Sequence, residues 1–374
     1  MASAPRPVRS GAHASRRRRA LRSAAAQVRT DSLLVTSPTD VRYLTGFTGA
    51  DSFLLLHPGG ASLITDGRYD QQARAECPDV RLFVRRGSIW KAVAEAARAS
   101  RRRRLAVQAE HVTLQGRELL SRAGGLGRIV PVKDVVGALR AVKDRDEIAA
   151  IRKAVRVAQR AFKAMRAIGA RRWIGRSERD LAAELEYRMR LAGADEAAFE
   201  TIVAVGPHSA MPHYRSGATR VKRGGCVLID WGARVGGYCS DLTRMVYVGT
   251  IPRRFAEIHR AVVRAQQLAV GACRGGVSMS AADKAARESI ARAGYGDRFV
   301  HGTGHGLGLE VHEQPGLSGK AKGRFRSGMV VTVEPGIYLP GVGGVRIEDD
   351  VVITRRGCRR LSSLPRSPQA SLLR

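Results

Sequence analysis

The sequence predicts two domains in succession, an α/β domain and then an α+β domain, and three observations carry that expectation. The chain has 374 residues, which at roughly 100–200 residues per domain is enough for two cores. From Ser32 to about Val136, short apolar runs alternate with helix-like segments. Beyond Val136, long helical patterns give way to strands broken by glycine-rich turns, the signature of segregated helices and antiparallel strands. Apolar residues at 44% and charged residues at 26% are ordinary for globular chains and exclude wholesale disorder, collagen and coiled coil. The longest apolar runs, such as Ser52–Leu56 and Met329–Val333, fall far short of the roughly 20 residues of a membrane-spanning helix.

Taken in order, residues 1–30 hold eight Arg, including Arg16 to Arg19, and no acid. No apolar segment follows, which argues against a secretory signal. An Arg-rich, acid-free start suits a transit peptide or a disordered tail, and the expectation is a solvated tail outside the fold. Residues 31–138 form the first domain. Leu33–Thr36 reads as a strand, and Ser52–His57 with Ala61–Thr65 as a hairpin turning at Pro58-Gly59-Gly60. Helix Tyr69–Glu76, strand Val80–Val84, helix Trp90–Ala99, strand Leu105–Gln108 and helix Leu114–Ala123 follow. This domain has no cluster of His and carboxylates, so its expected role is covering or assembly.

Residues 139–366 form the second domain. Its first helix carries Asp146 and Glu147 in the opening turn, where the helix dipole favours anions, and Ile148, Ile151, Val155, Phe162 and Met165 recur at helical spacing. A second helix starts at Ser177, with Asp180 completing an imperfect capping box. Helices near Phe255–Ala272 and Ala281–Ala293 and strands Cys226–Asp230, Asp241–Val248, Met329–Val333 and Val345–Ile353 complete it.

The net charge is +32, and only nine of the 65 basic residues are Lys, which leaves 56 Arg. Such an excess attracts polyanions and supports salt-sensitive nucleic-acid binding, but the arginines are spread through every segment, as solvated faces would have them. Five widely spaced cysteines without a C-x-x-C read as reduced thiols in a cytosol-like compartment.

The chemistry concentrates in a few segments. If Cys226-Val-Leu-Ile-Asp230 and Asp241-Leu-Thr243 form a hairpin about a Val235-Gly236 turn, Asp230 faces Asp241 with Cβ atoms about 4.5–5.5 Å apart. Carboxylates that close repel unless a proton or a cation lies between them. Glu334 and Glu348 are placed symmetrically about Gly341 in Pro340-Gly-Val-Gly-Gly344, so a second hairpin would appose a second acidic pair. Burying four bare carboxylates would cost many kcal/mol, and two divalent cations cancel that charge. An oxygen-rich set suits Mn2+, with Co2+, Fe2+ or Zn2+ as alternatives. A nitrogen ligand is available in His301-Gly-Thr-Gly-His305-Gly-Leu-Gly-Leu-Glu-Val-His312-Glu-Gln-Pro315. That run fails as a dinucleotide fingerprint, because position 307 is Leu, and as a zincin, because His312 lacks a second His at helical spacing.

In order and in local sequence, Asp230, Asp241, His305, Glu334 and Glu348 resemble the five metal ligands of the pita-bread metallopeptidases, the family of methionine aminopeptidase, aminopeptidase P, prolidase and creatinase. The likeness spans about Val136–Leu364, and the upstream segment resembles the creatinase-type N-terminal domain. Pro212-His213-Tyr214, His301 and Gly343-Gly-Val-Arg346-Ile-Glu-Asp resemble the proline-specific branch. His208 stands where relatives often have Asn.

The resemblance implies an α/β domain followed by an α+β pita-bread catalytic domain holding two divalent metals. It implies that Glu334 moves a proton, that His213 and His312 hydrogen-bond the substrate, that His301 shapes the proline site and that Arg346 takes part in substrate binding while steadying the ligands. The implied activity is that of a cytoplasmic Xaa-Pro aminopeptidase acting on proline-containing peptides, assembled as a homo-dimer or homo-tetramer, with no membrane and no specific nucleic-acid partner. The nearest alternative is an Xaa-Pro dipeptidase, which would recognise the free carboxylate of a dipeptide. The alternative from another class is a non-catalytic nucleic-acid-binding protein on the same fold.

Overall fold

A computed structural model describes residues 10–98, 104–124 and 126–374. It divides into two compact units, Met1–Arg140 and Ala141–Arg374.

The first unit corrects the expectation of a disordered tail. Ser10–Val28 is a helix, while residues 1–9 lie outside the described residues. Local sequence gives that helix little apolar face, and long-range contacts hold it instead. Ala20 and Ala24 are fully buried and Arg16 is 2% exposed, with its guanidinium 4.3 Å above the Tyr43 ring. Nδ1 of His13 lies 3.1 Å from the Tyr43 carbonyl, and Arg17 donates to the Leu44 carbonyl.

A six-stranded sheet runs in the spatial order Arg81–Arg85, Gly60–Asp66, Ser52–His57, Leu33–Val35, Arg104–Gln108 and Arg128–Val132. The Ser52–His57 hairpin closes on its partner at His57↔Gly60, around Pro58 and Gly59 as expected. The helix Pro38–Thr45, capped by Ser37, and the edge strand Arg128–Val132 were not among the expected elements.

In the second unit, Arg145–Ala167 begins on a capping box between Asp144 and Glu147, and Glu178–Leu191 begins on one between Ser177 and Asp180. Helices Arg253–Ala272 and Met279–Arg292 form a second pair. One sheet contains Leu242–Val248, Cys226–Trp231 and Ile202–Val205, and another contains Gly304–Gly306, Val330–Val333 and Asp349–Ile353.

Strand alternation then places the polar residues. Val227, Ile229 and Trp231 pack with the first helix pair, while Cys226 and Leu228 pack with the second. Asp230 therefore shares the face of Leu228. By the same parity Met245 and Tyr247 belong to the second cluster, and Thr243 and Asp241 share their face. On the other sheet Val331, Val333 and Val351, and along the hairpin that continues it Val345 and Ile347, bury into that second cluster, which leaves Thr332, Glu334, Arg346, Glu348 and Asp350 on the opposite side.

Both hairpins form, one with a shifted register. Gly336↔Arg346 and Leu339↔Gly343, continued by Val333↔Asp349, keep the symmetry about Gly341, so Glu334 and Glu348 occupy the break between two ladder segments. The span Val345–Ile353 is accordingly two strands, interrupted at Ile347-Glu348. In the other hairpin Asp230 pairs with Thr243, not with Asp241. Val235 pairs with Tyr238, so the turn is Gly236-Gly237, with φ of 59° and 85°. A two-residue turn with both central residues at positive φ suits Gly-Gly and excludes Val. Asp241 is thereby the diagonal neighbour of Asp230, on the same face.

Candidate metal centre

The expected ligands meet between the two sheets. Asp241, His305 and Glu348 each present a ligand atom within 4.8 Å of the others. Nε2 of His305 lies 3.3 Å from Oε1 of Glu334 and 3.7 Å from Oδ2 of Asp241. Asp230 joins them through Arg346, whose Nη2 donates to Oδ2 at 2.7 Å, while Arg346 Nε donates to Thr243 Oγ1 at 3.1 Å. Thr243 in turn donates to Oε2 of Glu348 at 2.7 Å. The segment bearing His305 fits because Gly304 has no side chain, since a Cβ there would collide with the Thr332 carbonyl. The Thr332 hydroxyl then accepts from His305 N and donates to Glu334.

The electrostatics are those of a site short of positive charge. Burial, then the Glu348, Asp230 and Glu334 carboxylates, push Asp241 well above the carboxylate range. Burial with Glu334 and Asp230 does the same to Glu348. Asp350 adds a fifth buried carboxylate, raised mainly by burial, with Oδ2 accepting from Asp241 N at 3.1 Å. Glu334 moves the other way. Burial would raise it, but the hydrogen bond and charge of His305 overcome that and hold it low, near 2.

Two independent details fit divalent cations. Asp230 Oδ1, Glu348 Oε1 and Asp350 Oδ1 are buried with no hydrogen-bond partner, a costly state that a cation relieves. Nδ1 of His305 lies 3.1 Å from the Gly306 carbonyl, which can only accept, so Nδ1 keeps its proton and Nε2, which faces Glu334 and Asp241, is the nitrogen that a cation would take in place of a proton. That arrangement leaves a metal ligand's second nitrogen held by the backbone.

A cleft of about 520 Å³ opens over this cluster, lined by Phe199, Glu200, Ile202, His213, Tyr214, Arg215 and His312 together with the acidic residues. His312 is exposed and its ring packs 4.2 Å from that of His305. Partial burial and the neighbouring His305 lower its pKa.

Two expected substrate contacts are engaged elsewhere. Both ring nitrogens of His301 are taken, Nδ1 by the Gly302 carbonyl and Nε2 by the Tyr338 hydroxyl at 2.8 Å. Arg346, 3% exposed, spends its third nitrogen on the same hydroxyl. Its guanidinium holds Asp230 and Thr243 and is not offered to a substrate.

Sequence reasoning did not single out Thr243, Thr332 or Asp350. The signal for Asp350 was its place two residues beyond Glu348, on the same strand face. Trp231 is core, stacked 4.4 Å from Phe162 with its N–H on the Ala158 carbonyl. His13 and His259 are packing residues, both buried.

Residues 149–355 match the model of the metallopeptidase family M24, more than half of the chain. The chain belongs to metallopeptidase family M24. Residues 17–142 match the creatinase/prolidase N-terminal domain, so the two units are that domain and the pita-bread catalytic domain of a metal-dependent peptidase. The M24 chain is 44% identical over 235 residues to an Xaa-Pro dipeptidase of Pyrococcus furiosus, covering 63% of this chain and 67% of that one. Its structure is similar to that of an Xaa-Pro dipeptidase from Bacillus anthracis, with TM-score 0.91 and 35% identity over 95% of this chain and 99% of the other. It is also similar to an X-Pro aminopeptidase from Thermotoga maritima, with TM-score 0.85 and 37% identity over 92% and 98% of the two chains. Among the described residues no helix is long and apolar enough to cross a membrane.

Proposed function

We propose that this M24 chain is an Xaa-Pro dipeptidase with two divalent cations held by Asp230, Asp241, His305, Glu334 and Glu348. The observation that carries the metal reading is the set of buried carboxylate oxygens without partners, Asp230 Oδ1 and Glu348 Oε1, beside Nε2 of His305. The dipeptidase reading rests on likeness to the Pyrococcus and Bacillus enzymes. An oxygen-rich donor set favours Mn2+. The five cysteines, all free thiols, support a reducing, cytoplasmic setting.

Bound there, the cations would make a water acidic enough to attack at neutral pH and would polarise the scissile carbonyl. The chain's own residues do the rest. Glu334 takes the proton of the attacking water. It passes that proton to the proline nitrogen, which as a tertiary amide nitrogen has no hydrogen of its own and leaves only when protonated. His312 is neutral because its pKa is lowered, so its N–H donates to the oxyanion of the tetrahedral intermediate, and His213, which also lines the cleft, binds the substrate. His301 shapes the proline side through Tyr338, and Arg346 orients Asp230.

A second reading, Xaa-Pro aminopeptidase, is favoured by the likeness to the Thermotoga enzyme. Hydrolysis of Xaa-Pro and Xaa-Pro-Pro by the metal-stripped chain, titrated with Mn2+, Co2+ and Zn2+, tests both. Metal-restored cleavage of Xaa-Pro in preference to Xaa-Pro-Pro is expected. The reverse preference makes the chain an aminopeptidase, and no cleavage by metal-loaded protein overturns both.

A further inference from the structure

We infer that Arg215 reads the free carboxylate of the substrate, an inference that rests on the dipeptidase reading and assigns the specificity to a residue. A dipeptide ending in proline carries its carboxylate two bonds from the ring nitrogen, so a cleft that selects it needs a cation not already bound to a buried acid. Two arginines line the cleft. Arg346 is buried and committed to Asp230, Tyr338 and Thr243. Arg215 has a side chain 85% exposed and, among the described residues, pairs with one acid, Glu200, whose side chain is 65% exposed.

That contact is weak. Nε and Nη2 of Arg215 both reach the same oxygen, Glu200 Oε2, at 3.3 Å, rather than forming two parallel bonds. Exposed pairs of this kind contribute about 0–1 kcal/mol. A guanidinium prefers a bidentate carboxylate, which a substrate terminus can supply by displacing Glu200.

The backbone around Arg215 is anchored, unlike that of an ordinary surface arginine. Glu178, whose side chain is fully buried, accepts from the Tyr214 hydroxyl at 2.8 Å and from Gly217 N at 2.9 Å. It also takes Val205 N and contacts His208 Nδ1 at 2.8 Å. Ser216 accepts from Val203 N and donates to the Thr201 carbonyl. The residues on both sides of Arg215 are thus fixed to strand and helix, while its own side chain projects into the cleft next to His213. The segment is a rigid mount for a cation whose partner is exchangeable.

The test uses the Mn2+-loaded full chain with Leu-Pro and Leu-Pro-amide, which differ only in the terminal charge. Arg215→Ala should raise KM for Leu-Pro about tenfold or more, roughly the loss of one charged contact, with kcat within about twofold and the amide unaffected. Arg215→Lys should recover part of the lost affinity. An unchanged KM for Leu-Pro in Arg215→Ala, or an equal loss on both substrates, overturns the assignment while leaving the dipeptidase reading intact. If the wild-type chain cleaves the amide but not Leu-Pro, the dipeptidase reading falls and this assignment falls with it.

Discussion

Both units bury carboxylates, and they treat them differently. In the first, Asp40 is 2% exposed, and its two oxygens are met by Arg140 Nη1 at 2.9 Å and by the Gln108 amide. In the second, Asp230, Asp241, Glu334, Glu348 and Asp350 crowd together, and three of their oxygens find no donor. The second unit can also satisfy a buried acid when architecture requires it, since Asp349 is met by Arg244, Gln266 and Ser362. A buried charge neutralised from within the chain is construction. A cluster left short of neutralising charge is shaped for something that comes from outside.

The sharpest way to break that comparison is to remove one acid from each class. Glu348→Gln should lower activity roughly a thousandfold or more, the scale of losing a charge-stabilising partner, and metal analysis should find fewer than two ions per chain. In the metal-stripped protein the same change should raise the melting temperature, because burial and like charges push Glu348 upward and a neutral amide escapes that repulsion. A lowered melting temperature there would show the cluster to be structural.

His312→Ala is the next largest. The side chain lines the cleft without belonging to the acidic cluster, so kcat should fall about a hundredfold while metal content stays at the wild-type level. Steady-state kinetics with parallel metal analysis separates the two, and unchanged turnover removes the proposed role.

Asp40→Asn supplies the contrast. It removes the carboxylate facing buried Arg140 and should destabilise the chain by about 3 kcal/mol, read by denaturant unfolding. Metal content and kcat of the folded fraction should not change.

How much of this was legible follows from what local pattern can carry. The Glu334–Glu348 hairpin was readable because its ladder is regular and its turn symmetric about Gly341. The Asp230–Asp241 pair was placed on one face, but two residues out of register, because the turn chemistry of Gly236-Gly237 was passed over for the neighbouring Val235-Gly236. The helix Ser10–Val28 was invisible, since the partners of Arg16 and Arg17 lie 27 residues or more along the chain and no local rule reports them. The committed state of His301 and Arg346 was equally hidden. Motif resemblance names a residue, but only coordinates show that Tyr338 occupies its hydrogen-bonding atoms.

The smallest expected effect concerns a buried titratable group satisfied in its neutral form. His259 is fully buried, with Nδ1 2.8 Å from the Tyr247 hydroxyl and Nε2 2.7 Å from the Arg366 carbonyl. The carbonyl only accepts, so Nε2 carries the proton and Nδ1 accepts from Tyr247. A second proton on Nδ1 would break that bond and charge the core, and burial lowers the pKa to about 4. In the unfolded chain the imidazole titrates near 6.5. Between these values the unfolded state binds the extra proton, so the stabilisation present above pH 6.5 is lost as pH falls toward 4. From pH 7.5 to 5 the loss should be about 2 kcal/mol. The carboxylates raised in the metal cluster oppose it, since they take up protons in the folded state as pH falls. Comparing the pH dependence of unfolding of the wild type with that of His259→Gln cancels their contribution, and the wild type should lose the greater stability over that range. Equal slopes would mean that His259 takes up its proton as readily in the fold as in the unfolded chain, so that burial does not hold it neutral.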